Sequence, residues 1–406
     1  MRIASYTSNQ GSVSTLQQRQ QALQEAQEQM TSGKRIARPS DDPAGIATAE
    51  RALNAQKRTE SAQRALAASR NAMTLSETSI GQAIDLAQGV RESLMNAGNA
   101  SYSAAERGLL AQQLRQLRSQ LLSVANQSDG ATGFVFGGQG ATTQPFNDTA
   151  DGVVAGTTGG VSNASPSENM PLSVDGAAVW LHARSGNGVF VTSAGDVDGD
   201  ATRNLGSGWI NAGQVNDPSR YTGQDYQLIV GETAGKPSYT ITQLPGTVLA
   251  KDQPFQSGKA ITEVPGISFT ISGTPATGDS FMIKPSTPDL DVFGAIDRVL
   301  DTLGNANAGN SQVMQAVNSG LRDVDQVMSN FQSARAVAGE ALNHLDGMES
   351  RNSAAILSAQ TTRSNAEDLD MVKAVSEFTN KQTSYQAALQ SYTMVQKLSL
   401  FNYINT

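Results

Sequence analysis

Apolar positions fall on a seven-residue grid over both ends of the chain and change to alternation in the middle. Near the start, Val13, Leu16, Leu23 and Met30 occupy a heptad stripe whose other core slots hold Gln20 and Gln27. Near the finish, Met371, Val375, Phe378, Tyr385, Leu389 and Tyr392 do the same, with Gln382 in the open slot, and Val395 and Leu398 follow on the same segment. Each stripe has the width of a coiled-coil seam, narrower than the face a helix turns to a globular core. Residues 12–32 are otherwise rich in glutamine, and a short polar helix is marginal alone because nucleation is costly. The expectation is that both ends are disordered in the free monomer and order on assembly, against each other and against neighbouring copies.

Between the ends, Asp42 is placed to cap a helix that Pro43 opens. Leu66, Met73, Ile80, Ala87 and Leu94, seven apart, carry that helix to about Ala97, roughly 80 Å at 1.5 Å per residue. Ser103 and Glu106 form a capping box. The helix it opens has Leu110, Leu114, Leu117, Leu121 and Val124 at alternating 4–3 spacing and ends near Asp129-Gly130. From Phe134 to Pro285 the period shortens to two and turn residues multiply. Strands are predicted at Phe134–Phe136, Val179–Leu181, Val189–Val191, Tyr226–Val230, Tyr239–Ile241, Ile267–Ile271 and Phe281–Ile283, with Asp151–Ser165 a loop. Helices resume at Asp289 with Val292, Ile296, Val299 and Leu303. A long one follows through Val317, Leu321, Val324, Met328, Phe331, Ala338, Leu342, Leu345 and Ile356, and a last one starts from about Asp370.

The fold class is therefore α+β and multidomain: a long antiparallel helical rod or coiled-coil bundle built from the N- and C-terminal segments, with an inserted mainly-β domain. The expected divisions are an assembly helix and linker (1–42), half of a helical rod (43–133), the β insert (134–286), the other half of the rod (287–365) and a C-terminal assembly helix (366–406).

Composition narrows the function. The 406 residues hold 29 basic and 37 acidic side chains, net −8, with no basic face of the kind nucleic acid needs. Neither a polybasic run for a membrane surface nor an apolar run of ~18 residues is present. Met1-Arg-Ile-Ala-Ser-Tyr lacks the apolar core of about 7–15 residues that a Sec signal requires, so export would need another route. Cysteine is absent, which excludes disulfides and thiol chemistry and suits passage of an unfolded chain through a channel.

Catalytic candidates are few. Asp196-Val-Asp198-Gly-Asp200 starts like a calcium loop, but Ala201 and Ser207 stand where the pattern needs Gly and Glu, so it is read as an acidic turn. Gly137-Gly138-Gln-Gly140 fails the phosphate-binding pattern at Thr143 and is read as a turn. His182 and His344, the only histidines, fall in different predicted domains, against a triad or a multi-His metal site. No catalytic residue, cofactor or metal is expected, and the protein is read as a non-enzyme. Trp180, Trp209, Tyr221 and Tyr226 could line a sugar site in the β insert, although core packing is the commoner fate of such aromatics.

Four stretches resemble the flagellin superfamily, and within it the hook-associated proteins. They are Met30-Thr-Ser-Gly-Lys-Arg-Ile-Ala-Arg-Pro-Ser-Asp-Asp-Pro-Ala-Gly45; Asn126-Gln-Ser-Asp-Gly130 with Phe134-Val-Phe-Gly-Gly138 and Pro145-Phe146; Gly266-Ile-Ser-Phe-Thr-Ile-Ser-Gly-Thr-Pro-Ala-Thr-Gly-Asp279; and Glu367-Asp-Leu-Asp-Met371 through Leu398-Ser-Leu-Phe-Asn-Tyr-Ile404. The resemblance implies a structural subunit of the bacterial flagellum, exported unfolded by the flagellar type III apparatus and placed between hook and filament. Its implied partners are the first hook-associated protein, flagellin, copies of itself and a cytosolic export chaperone, with no nucleic acid and no membrane. It would be extracellular after a transient cytoplasmic stage. Val13, Leu16, Leu23, Met30, Met371, Val375, Phe378, Tyr385, Leu389, Tyr392, Val395 and Leu398 would form the assembly interface. The chaperone would hold Val375, Phe378, Tyr385, Leu389 and Tyr392. A filament flagellin, or a flagellar stem displaying a surface- or carbohydrate-binding β module, are the alternatives.

Overall fold

A computed structural model describes residues 2–99, 102–130, 133–138, 142–156, 159–165, 168–195 and 204–404. The chain divides into two compact units, Met1–Arg64 with Gly347–Thr406 and Ala65–Asp346.

The first unit holds α1 (Arg2–Ser32), the opening of α2 (Pro43–Ala97), the end of α6 (Asn310–Glu367) and α7 (Met371–Ile404). α1 begins well before the residue 12 that the glutamine-rich pattern marked. Asp42 Oδ1 accepts from the Gly45 amide at 2.8 Å, so the cap of α2 is the expected one. Asp370 Oδ1 accepts from Val372 N (3.0 Å) and Lys373 N (3.2 Å) and caps α7.

The second unit has two apolar cores. One is helical. Leu66, Met73, Ile80, Ala87 and Leu94 of α2 are all buried, as are Val317, Val324, Phe331, Ala338 and Leu345 of α6. α3 (Ala104–Ala125) carries the predicted capping box, and α5 (Val292–Gly304) is capped by Asp291. Trp180 lies at the centre of this core, stacked on Phe293 at 5.9 Å and edge-on to Phe136, Phe146 and Phe331.

Trp180 corrects one sequence expectation. Val179–Leu181 is not a strand: Gly176–Trp180 forms a short helix, α4, capped by Asp175. A Cβ on Gly176 would overlap the Phe136 carbonyl, so the turn closes tightly enough to deliver Trp180 inward. Phe134–Phe136 likewise forms a turn with isolated bridges at Phe134 and Gly137. The expected loop at Asp151–Ser165 contains half of a hairpin, β1 (Phe146–Thr149) with β2 (Gly152–Ala155), turned at Gly152 with φ +117°.

The other core belongs to the β strands. β3 (Phe190–Ala194), β6 (Tyr226–Thr233), β7 (Lys236–Gln243), β8 (Thr247–Pro254) and β11 (Ser280–Pro285) form an antiparallel sheet in the order β3-β11-β6-β7-β8. A smaller group joins β4 (Trp209–Ile210), β5 (Gln214–Val215) and β9 (Ala260–Ile261) to β10 (Ile267–Ser272). Phe190, Tyr226, Leu228, Ile241, Phe269, Ile271, Phe281 and Ile283 fill the space between them.

Candidate assembly surface

α1 and α7 pair antiparallel, joined where the first and fourth of the resembling stretches meet. Gly33 ends α1 with φ +70°, a conformation glycine adopts at little cost. Beyond it Lys34 bridges Asp368. Arg35 N donates to Glu367 O at 2.7 Å, and Leu369 N donates to Gly33 O at 3.0 Å. Lys34 Nζ pairs with Glu367 Oε2 (3.2 Å), and Arg35 Nη2 donates to Ala366 O (2.7 Å) and to Asp42 Oδ2 (3.2 Å). The Gly45 amide, with Arg35 adding to it, holds the Asp42 carboxyl below the usual carboxylate range. Further along the pair, Arg19 Nη1 donates to Ser384 O at 2.8 Å.

The seam differs by one position from the predicted grid. On α1 the half-buried or buried positions include Ser12, Leu16, Leu23, Ala26 and Met30; on α7 they are Ala374, Phe378, Lys381, Tyr385, Ala388 and Tyr392. Leu16, Leu23, Met30, Phe378, Tyr385 and Tyr392 are thus covered as expected. Val13, Met371, Val375 and Leu389 are instead exposed, and so are Gln20, Gln27 and Gln382. Turning each helix by about half a residue step, roughly 50°, keeps Leu16, Leu23, Met30, Phe378, Tyr385 and Tyr392 covered while it takes the glutamines at 20, 27 and 382 out of the seam and puts Ala26, Ala374 and Ala388 into it. Buried amides would need partners, whereas alanines let two backbones approach. Near the start of α1 the antiparallel register gathers Ser12, Leu16 and Arg19 around one hollow with Ala388 and Tyr392 of α7.

A second apolar stripe therefore stays open on α7. Met371, Val372, Val375 and Leu389 are 47%, 82%, 46% and 39% exposed. Single exposed apolar residues need no explanation, but several within five turns of one helix mark a surface that a partner could cover. The side chains of Val395 and Leu398 lie outside the described residues. Sequence reasoning missed Arg19, Lys34, Arg35 and Glu367. The last three lie inside the resembling stretches, where their charge and position were visible but their pairing across more than 300 residues of chain was not.

The remaining candidates do not assemble into a site. Trp180 and Tyr226 are buried in separate cores, and Tyr221 packs against Phe190 at 6.1 Å. These aromatics do not gather around one opening. His182 and His344 are both exposed, on different elements. Asp196–Asp200 and Gly140 lie outside the described residues. Among the described residues there is no cluster of three metal-ligating side chains and no helix long and apolar enough to cross a membrane.

One unit is thus an antiparallel helical pair, and the other combines long heptad helices with a β insert. The bacterial flagellin N-terminal helical region matches residues 3–141. The homologues of this chain are flagellar hook-associated proteins 3. That of Escherichia coli (strain K12) is 23% identical over 380 residues, covering 92% of this chain and 90% of the relative. The solved hook-associated protein-3 of Legionella pneumophila superposes with a TM-score of 0.70 at 23% identity, covering 78% of this chain and 97% of that one. FlgL of Xanthomonas campestris gives 0.67 at 26% identity, covering 78% and 99%. These comparisons support the resemblance read from the four stretches.

Proposed function

We propose that this chain is the structural subunit joining the flagellar hook to the flagellin filament. The observation that carries the reading is the end-to-end match to relatives named flagellar hook-associated protein 3, over 92% of this chain and 90% of theirs. The work is mechanical, not catalytic. The chain would sit beside the first hook-associated protein on one side and flagellin on the other, and contact copies of itself around the ring. Residues 1–42 and 366–406 serve assembly, 43–133 and 287–365 are the two halves of the helical rod, and 134–286 is the insert.

Within that reading α7 has two roles on two stripes. Phe378, Tyr385 and Tyr392, with Leu16, Leu23 and Met30, close the pair with α1. Met371, Val375 and Leu389, with Val13 of α1, stay free for a neighbouring subunit. Val395 and Leu398 extend the same helix toward its end. Before export a cytosolic chaperone would hold α7 through Val375, Phe378, Tyr385, Leu389 and Tyr392. Because that set spans both stripes, chaperone binding and α1 pairing exclude each other. Handover to α1 then follows export by the type III route, after a transient cytoplasmic stage. A chain without cysteine cannot cross-link on the way.

The test is a strain deleted for this chain. It should carry hooks without filaments and shed flagellin into the medium, and the intact gene should restore filaments. Normal filaments on the deletion strain would overturn the reading.

A further inference from the structure

The β module, β3 to β11 (Phe190–Pro285), has its own core and enters and leaves the helical body through one narrow neck. Its two crossings lie side by side. Ala183 and Leu290 exchange backbone hydrogen bonds, Ser185 N donates to Thr287 O at 2.9 Å, and Ser286 N donates to Val189 O at 2.9 Å. Gly186 (φ +69°) turns the entering strand so closely that a Cβ would overlap the Phe190 carbonyl. The ribbon is rooted in the helical core by Ala183 and Leu290, and beyond them it continues with the polar side chains of Ser185, Ser286 and Thr287.

Away from the neck, two polar side chains of α6 hold the module. Arg322 Nη1 donates to Thr192 O at 2.8 Å and to Thr192 Oγ1 at 3.2 Å. Gln315 Oε1 accepts from Ile210 N at 3.0 Å. The Arg322 guanidinium is aimed by Asp323, whose carboxylate is 6% exposed and takes Arg322 Nη2 at 3.0 Å and Arg298 Nη2 at 2.9 Å. Beside these contacts lies a cleft of about 480 Å³, walled by Ser193, Asn204 and Gly208 of the module and floored by Ala295, Ala316 and Gly320 of α5 and α6. A joint made of a few polar contacts beside open space permits motion that a large apolar interface would forbid.

We infer that the β module is a latched, pivoting unit: it swings about the neck 183–189/286–290 over the cleft, and the Asp323-aimed Arg322 sets its resting angle with Gln315. The charge-assisted bond from Arg322 is the stronger of the two contacts. The module is thereby a movable part of a subunit whose helical body stays fixed.

With no native cysteine, the test is clean. Spin labels at Lys236→Cys on the module and Val337→Cys on α6, both exposed in the full chain, report the angle as a distance. The latched chain should give one narrow distance. Arg322→Ala with Gln315→Ala should give a broader distribution with a second population, and Arg322→Lys, which keeps a donor, should recover most of the narrow one. Gln315→Ala alone leaves the Arg322–Asp323 pair in place. It is the variant to read if the double substitution fails to fold, and it must broaden the distribution too. One unchanged narrow distance in these variants would overturn the inference.

Discussion

Arg118 on α3 ties three elements of the second unit together. Its two Nη atoms clamp Asp148 of the β1–β2 hairpin at 2.7 and 2.8 Å, its Nε pairs with Asp297 of α5 at 2.6 Å, and its guanidinium lies 5.7 Å from the Phe293 ring centre. The Arg118 side chain is 13% exposed, while the Asp148 and Asp297 carboxylates, at 42% and 34%, stay in reach of water when it is removed. Arg118→Met should cost about 1–3 kcal/mol, between the values for exposed and buried pairs. The Arg118 hydrogen bonds hold the Asp148 carboxyl below its usual range. A depressed carboxylate stabilises the fold above its unfolded pKa of about 3.9 and loses that contribution as pH falls through the folded value. Asp148→Asn should therefore lower the urea midpoint at pH 7 and make less difference at an acidic pH below about 3.9. An equal loss at both pH values would show that packing, not charge, is what Asp148 supplies.

At the scale of helices, α7 pairs with α1 along one stripe and leaves a second open, and the proposal gives assembly to the open one. Val375→Asp places a charge on the open stripe and should block incorporation into flagella, with the far-UV circular dichroism of the purified chain unchanged. Phe378→Asp puts its charge against α1 and should lower helicity as well as incorporation. Full incorporation of Val375→Asp would remove the open stripe from the interface. The long elements were legible because their signals are redundant: every seventh residue of α2 from Leu66 to Leu94 is apolar, and Asp42-Pro43 and Ser103/Glu106 mark where helices begin. Short elements were not, because tertiary contacts decide them. Trp180 and its neighbours form a short apolar run like that of a buried strand, yet the aromatic core draws them into the helical turn of α4. Alternate slots of each seam were placed one position off for a related reason. Apolar size ranked Val13 and Val375 above Ala26 and Ala374, while close approach of two backbones favours the smaller side chains. Arg19 donating to Ser384 O, 365 residues away, could not be read from spacing at all.

At the scale of the whole molecule, the two ends of the chain meet in one element. The structure pairs α1 with α7 inside a single chain and leaves an apolar stripe over. The pair is narrow and has Lys381 among its seam positions, and we propose that neighbouring subunits complete it. The central claim is that such a subunit occupies the hook–filament junction. The most direct measurement is electron microscopy of flagella carrying the Lys236→Cys chain labelled with maleimide-gold, which reacts at one place because the native sequence has no cysteine. The account predicts gold confined to one band at the distal end of the hook. Gold distributed along the filament, or absent from the junction of a fully motile cell, would contradict it.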